Sequence, residues 1–371
     1  MHDNDSPFSQ LPEALVENML SECENISSQL FTSFDELISK KEDYRQILID
    51  SELLKPDTYY IQSPTYPTVC GVDGAYSLEK LLFTDIIAVA AVAVEGLTPP
   101  TEERYWPIPR HIPKILNLSH SAATETVGRA LMMCFESSLA KNAPHDIVLL
   151  DGSFTTPFIH ISQAFYRIKD SPEALSHVFL KQIDETFENY YSILSSRKTD
   201  QMFVSIPKYT TRKEVSKKIN IQNTEDRGIL SLLLNPGEVV GPMPMEVPSK
   251  GWNIENSTEK VEMLREKVVK ELKELQILYY KPYIHCPAIR IEISTSIAKN
   301  RHRLGILLEG IKSQSSIGLL EPYPLYLADR MVKNLNVGLP AIRKTATQNM
   351  AINWDGSLGD LYLSMHGYRT G

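Results

Sequence analysis

The spacing of apolar and polar residues changes several times along this 371-residue chain, and each change predicts an element. In "LPEALVENMLSECENISSQLF", Leu15, Met19 and Cys23 recur at helical spacing, so residues 1–60 read as a helical extension without chemistry of its own. "PTVCGVD" (67–73) is a short buried strand, and "DIIAVAAVAVEG" (85–96) is rich in β-branched residues and reads as a second. Strands this close in sequence pair most simply as antiparallel neighbours. A proline-broken segment (98–114) leads to a helix over 119–142, with Ser119 or Ser121 as cap and Ala130, Leu131, Cys134, Phe135 and Leu139 as its apolar stripe. "DIVLLD" (146–151) is apolar throughout, as in a strand covered on both faces.

Further on, the pattern predicts a helix over 172–196, a strand near 202–208 and a Pro- and Gly-rich surface connection over 235–252. A helix over 257–280 follows, capped by Ser257 or Thr258, then the alternating strand "AIRIEI" (288–293) and helices near 302–311 and 322–334. The expected class is α/β, a mixed sheet flanked by helices. Residues 61–340 form its main domain and 341–371 a tail packed on it.

Composition narrows the function. The net charge of −8 opposes indiscriminate attraction to nucleic acid unless basic residues are gathered in one place. The stretch from Arg197 to Lys218 is such a place, with Lys208, Arg212 and Lys213 near its centre, although a solvated helix and loop would look the same. Cys23, Cys70, Cys134 and Cys286 have no metal-binding spacing and read as reduced core thiols. The longest apolar run, "IIAVAAVAV", is about half of a bilayer crossing, and the first residues lack a signal-peptide layout, so a cytoplasmic protein is expected.

The carboxylates carry the chemistry. Asp73 and Asp151 each follow an apolar run and precede a glycine, which taken singly is an ordinary turn. If their strands are adjacent and parallel, the two meet on one sheet, where they repel unless cations lie between them. A divalent-metal site for phosphoryl transfer is the chemistry that fits. The helix before Asp151 offers Glu125 and Glu136. Setting the helix end Lys141 level with Asp146, the strand climbs about 17 Å to Asp151, against about 24 Å for the helix to Glu125 and about 7.5 Å to Glu136. That favours Glu125, with Glu136 as fallback. Asp329 is a fourth candidate, or else a surface acid paired with Lys333. Arg290 and Glu292 read more readily as a buried pair than as site residues.

Taken together, "VCGVDGAYS", the glutamate-bearing helix before "DIVLLDGSF", "FVSIPK", "AIRIEI" and "EPYPLYLADRMVK" resemble, over residues 65–335, the NurA nuclease family. The resemblance implies an RNase H-like sheet and a DNA nuclease dependent on Mn2+ or Mg2+, one or two ions per site. It further implies 5′-to-3′ exonuclease and single-strand endonuclease activity, a homodimer, and a HerA-type hexameric ATPase as partner in end processing, repair or anti-phage defence. It assigns the metal-binding roles to Asp73, Glu125 and Asp151, whereas Lys208, Arg212 and Lys213 are our candidates for DNA phosphate contacts. The chain departs from the family where some members place a tyrosine and a histidine: Glu321 and Asp329 stand there, and Ala75 replaces a frequent serine. A scaffold that has lost its chemistry is the rival reading. A sugar kinase or actin-like ATPase is disfavoured because no glycine-rich phosphate loop is present.

Overall fold

The computed structural model describes residues 8, 11–62, 66–100, 102–198, 200–221, 224–248, 254 and 258–353. Helices α1 (Glu13–Ser21), α2 (Cys23–Ser39) and α3 (Lys41–Asp50) open the chain, followed by strands β1 (Leu54–Pro56), β2 (Val69–Lys80), β3 (Asp85–Glu95) and β4 (Arg110–Leu118). Then come α4 (Thr124–Lys141), β5 (Ile147–Asp151), α5 (Thr156–Arg167), α6 (Glu173–Ser195) and β6 (Met202–Ile206). The remainder is α7 (Glu214–Lys218), α8 (Asp226–Leu233), β7 (Glu238–Pro244), α9 (Glu259–Lys273), β8 (Gln276–Lys281), β9 (Ile289–Ile293), α10 (Thr295–Ala298), α11 (Arg301–Gln314), α12 (Tyr323–Lys333) and α13 (Leu335–Asn353).

Among the described residues nine strands form one mixed sheet in the order β1-β7-β8-β9-β6-β5-β2-β3-β4. β2 and β3 are an antiparallel hairpin, and β2, β5 and β6 run parallel. Because side chains alternate along a strand, the sheet separates two layers. Cys70, Val72, Val148 and Leu150 face a core built with α4, α5, α6 and α9; Val69, Ile147, Leu149, Met202 and Val204 face a second built with α11 and α12. Glycines let the helices approach: a Cβ on Gly71 would lie 2.6 Å from the backbone of Leu325 in α12, and one on Gly128 of α4 would lie 2.4 Å from Ile87.

Several expectations need correction. β2 continues seven residues beyond Asp73 to Lys80, so Asp73-Gly74 is mid-strand; Asp151-Gly152 is a true turn, with φ of +82° at Gly152. Residues 238–244 of the expected surface connection are β7, whose register shifts between Val240 and Met243 to accommodate Gly241 and Pro242. Residues 249–252, Ser257 and residues 354–371 of the expected tail lie outside the described residues. The helix predicted over 257–280 ends at Lys273, and "QILYYK" turns into β8; Thr258 is the cap, its side chain accepting from the Val261 N–H. β4 lies partly in the proline-broken segment.

The N-terminal extension is only partly separate. β1 pairs with β7, and Arg45 of α3 binds Glu238 through two hydrogen bonds of 2.6 and 2.8 Å. The cysteines are free, but Cys23 is exposed and not a core thiol. No helix among the described residues is long and apolar enough to cross a membrane.

Candidate metal centre

The parallel pairing sets the site. Val72 lies opposite Leu150, so Asp73 and Asp151 emerge side by side, both on the α12 side of the sheet. Lys208, two residues past β6 and in phase with Val204 and Ile206, joins them there. From above, α12 brings Asp329, and the turn before it brings Glu321. The result is one cluster in which carboxylate oxygens of Asp73, Asp151 and Asp329 lie within 4.8 Å of one another. Lys208 Nζ lies 3.0 Å from Asp151 Oδ2, 3.1 Å from Glu321 Oε1 and 2.8 Å from Asp329 Oδ1. Asp329 also pairs with Lys333 at 2.7 Å, so its surface-acid partner and its place in the cluster coexist.

The helix glutamate that lies beside the cluster is Glu136, which lines the same cavity as Asp73 and Asp151. A Cβ on Gly74 would lie 2.5 Å from Glu136 Oε1 and 2.7 Å from Met132 Cγ, so Gly74 makes the space that the Glu136 carboxylate occupies on the α4 side of the sheet. Glu125 is exposed and lines a different cavity, of about 360 Å3, with Glu79, Lys80 and Arg343. The expectation for Glu125 fails because the helix end is not level with the strand start. Loop 142–146 drops from Lys141 to β5, and α4 packs across β2 and β3, with Gly128 against Ile87 and Glu136 against Gly74. Glu125 therefore sits about 16 Å farther along, beside the far end of the β2–β3 hairpin.

The electrostatics are those of crowded acids. Asp73 is 7% exposed; burial and then the neighbouring Asp151 carboxylate push its pKa up to about 8, against the pull of Lys208. Burial, reinforced by Asp73 and Asp151, holds Glu136 well above the usual carboxylate range. Burial also raises Glu321 to about 7, although Lys208 opposes it, and its Oε2 has no hydrogen-bond partner among the described residues. Burial would raise Asp329 as well, but hydrogen bonds from Lys208 and Lys333 outweigh it and hold the group below its ordinary value. Lys208 itself is desolvated, yet Asp151, Asp329 and Glu321 keep it firmly charged. Several acids thus surround one embedded ammonium, a donor set of hard oxygens suited to Mg2+ or Mn2+.

The cluster floors a cavity of about 870 Å3. Arg212 and Lys333 line it beside Lys208, and Tyr209, 84% exposed, stands at its edge. The basic run is otherwise dispersed: Arg197 pairs with Glu271, Lys217 pairs with Glu246, and Lys213 precedes α7 without lining the cavity. Arg290 and Glu292 are the buried pair expected, at 3.1 Å, with Arg290 also gripping Glu214 at 3.0 and 3.1 Å. β9 is buried at every position, not half-buried as its alternation suggests, because its polar side chains face this network.

Sequence reasoning ranked Glu136 second and identified Glu321 only as a departure from a pattern. The signal for Glu136 was the glycine after Asp73, intelligible once that position is known to be mid-strand. Glu321 had none, since its burial depends on where α12 lands.

No protein-family profile matches the chain, and no curated protein matches it in sequence. Among solved structures it is similar to the NurA nuclease from Sulfolobus solfataricus, at 14% identity and a TM-score of 0.60, over 93% of this chain and 100% of that one. It is similar also to a NurA structure with manganese, at 14% identity and a TM-score of 0.51, over 88% of this chain and 98% of that one. A further NurA structure aligns at a TM-score of 0.52 and 14% identity, over 86% and 96% of the two chains. This chain therefore has a NurA-like fold, an RNase H-like mixed sheet flanked by helices.

Proposed function

We propose that the protein is a divalent-metal-dependent deoxyribonuclease. The observation that carries this reading is the convergence of Asp73, Asp151 and Asp329 on one point, with oxygens within 4.8 Å, at the floor of an open cavity edged by cations. Asp73, Asp151 and Asp329 would hold Mn2+ or Mg2+, one or two ions, with Glu136 adjoining from α4. Such an ion supplies activation of the attacking water and neutralisation of charge at the scissile phosphate. Lys208 fixes the Asp151, Glu321 and Asp329 carboxylates by direct contact. Arg212 and Lys333 are the cations placed to receive flanking phosphates, which position a strand without reading its sequence. Glu321, which burial raises to about 7, stands beside these groups in contact with Lys208. A NurA structure of the same fold holds manganese, which supports the choice of ion.

The finer reading follows the same resemblance: 5′-to-3′ exonuclease and single-strand endonuclease activity, a homodimer, and a HerA-type hexameric ATPase as partner in end processing or anti-phage defence. For the partner we propose α1 and α2, where Leu15, Met19, Leu20, Ile26, Phe31 and Ile38 are all exposed. Deleting residues 1–40, which leaves α3 and β1 in place, should abolish ATPase co-purification while sparing nuclease activity. Retained ATPase binding would move the contact elsewhere.

The test of the main reading is degradation of end-labelled single- and double-stranded DNA with Mn2+, Mg2+ or EDTA. Metal-dependent cleavage lost in Asp73→Asn and Asp151→Asn is the expected result. A second reading, a metal-free scaffold, is favoured by the three ion pairs with which Lys208 already neutralises the cluster. Calorimetry separates the two: the nuclease binds Mn2+ and the scaffold does not.

A further inference from the structure

One face of α5 links the metal centre to a second cavity. Thr156 and Ile159, in the first turn, line the catalytic cavity. Gln163, Tyr166 and Arg167, farther along the same helix, line a separate cavity of about 410 Å3 together with Thr126 and Ser162. At 100° per residue these positions fall on one stripe, opposite the buried Phe158, Ile161, Ala164 and Phe165. The stripe is unlike an ordinary solvated helix face. Ile159 is 37% exposed and Tyr166 69% exposed, and the only charged side chain in it is Arg167. The Arg167 guanidinium lies 5.9 Å from the centre of the Tyr166 ring. Its only acid contact among the described residues is an exposed one, Asp170 at 3.9 Å, of a kind that contributes little and yields to a competing anion.

We propose that this face is a single-strand track, along which one strand of nucleic acid runs from the second cavity to the metal centre, with an unpaired base stacked on Tyr166 and a phosphate on Arg167. The inference rests on the nuclease reading and specifies the form of its substrate. An exposed ring beside a guanidinium is the pairing that single-strand surfaces use, because every base offers a π face while the backbone requires only charge. The Gln163 side chain, whose Oε1 pairs with His160 Nδ1, lies between the two cavities on this stripe. From Thr156 to Arg167 the helix covers about 16 Å, room for a few stretched nucleotides. A base stacked there is turned away from any complementary strand, so a duplex would have to open before its strand reached the carboxylates.

The full-length Asp151→Asn chain, mixed with oligodeoxythymidylate carrying one 5-iododeoxyuridine at successive positions from the 5′ end, is irradiated and the adducts are mapped by mass spectrometry. One substituted position should attach to Tyr166 or its immediate neighbours. In the same background Tyr166→Ala should weaken single-strand binding roughly tenfold, Tyr166→Phe should leave it unchanged, and duplex binding should respond to neither. Adducts confined to other elements, or equal single-strand affinity in Tyr166→Ala and its parent, overturn the track. If the wild type cleaves DNA and α5 yields no adduct, the track fails and the nuclease reading stands. If α5 is labelled and no metal supports cleavage, the nucleic-acid surface stands and the nuclease reading fails.

Discussion

Two polar clusters lie within the same sheet, and they are satisfied very differently. Around Arg290 every carboxylate is met by donors. Glu214 receives both guanidinium arms, Glu292 receives Arg290 Nε together with Ser153 Oγ and the Phe154 N–H, and Asp226 receives the Val215 and Ser216 N–H groups. Around Lys208, by contrast, and among the described residues, Asp73 accepts a hydrogen bond only from the neighbouring Gly74 N–H at 2.8 Å, and Glu321 Oε2 has no hydrogen-bond partner. A buried network with its oxygens filled holds strands and helices in register. An open cluster with oxygens to spare is prepared for a ligand that the chain does not itself supply.

The comparison is broken most severely by removing a ligand. Asp151→Asn should lower metal-dependent cleavage by about a thousandfold or more, since a lost metal site forfeits several kcal/mol of transition-state stabilisation. Denaturation of the metal-free variant should show little loss of stability, because Lys208 keeps its Glu321 and Asp329 partners when the Asp151 charge is removed. Arg290→Met should do the opposite, leaving Glu214 and Glu292 buried without their cation and costing about 3–5 kcal/mol in chemical denaturation. A stable, inactive Arg290 variant would make that network part of the site.

A smaller effect is expected from Gly74→Ala, whose added methyl meets Glu136 Oε1 and Met132; it should cost about 1–3 kcal/mol and weaken Mn2+ binding in calorimetry by displacing Glu136. Unchanged Mn2+ affinity would show that Glu136 takes no part in holding the ion.

The pH dependence follows from Asp73, which the fold holds at about 8 against an ordinary value of 3.8. Between those values the folded chain binds more protons than the unfolded one, so metal-free stability falls as pH rises through that window. Mn2+ competes with the same proton, so its affinity should climb with pH up to about 8. Asp73→Asn should flatten the stability slope, and an equal slope in both proteins would place the raised carboxyl elsewhere. The smallest effect belongs to Glu125→Ala, which should stay within about 0.5 kcal/mol of the wild type in stability and match its cleavage rate.

The helix glutamate shows where sequence reasoning stopped. Periodicity locates α4, but spacing along the helix does not fix how its end sits relative to the start of β5. A loop of five residues, Asn142 to Asp146, was enough to shift the register and exchange Glu125 for Glu136. Gly74 looked like a turn residue because an Asp-Gly pair in isolation most often is one. Its actual role, admitting a glutamate from the layer beneath, is a packing property.

The sequence by itself determined the elements with long, unambiguous periodicity: α4, α6, α11 and the hairpin of β2 and β3. These depend on local alternation and on short-range connection rules that are written in neighbouring residues. Only the tertiary structure decided that Lys208 would be held between Asp151, Glu321 and Asp329, that "VVGPMP" would be a strand, and that Glu136 would be the glutamate beside Asp73. Each of those depends on distances between segments tens to hundreds of residues apart, which are fixed when helices settle on the two faces of the sheet.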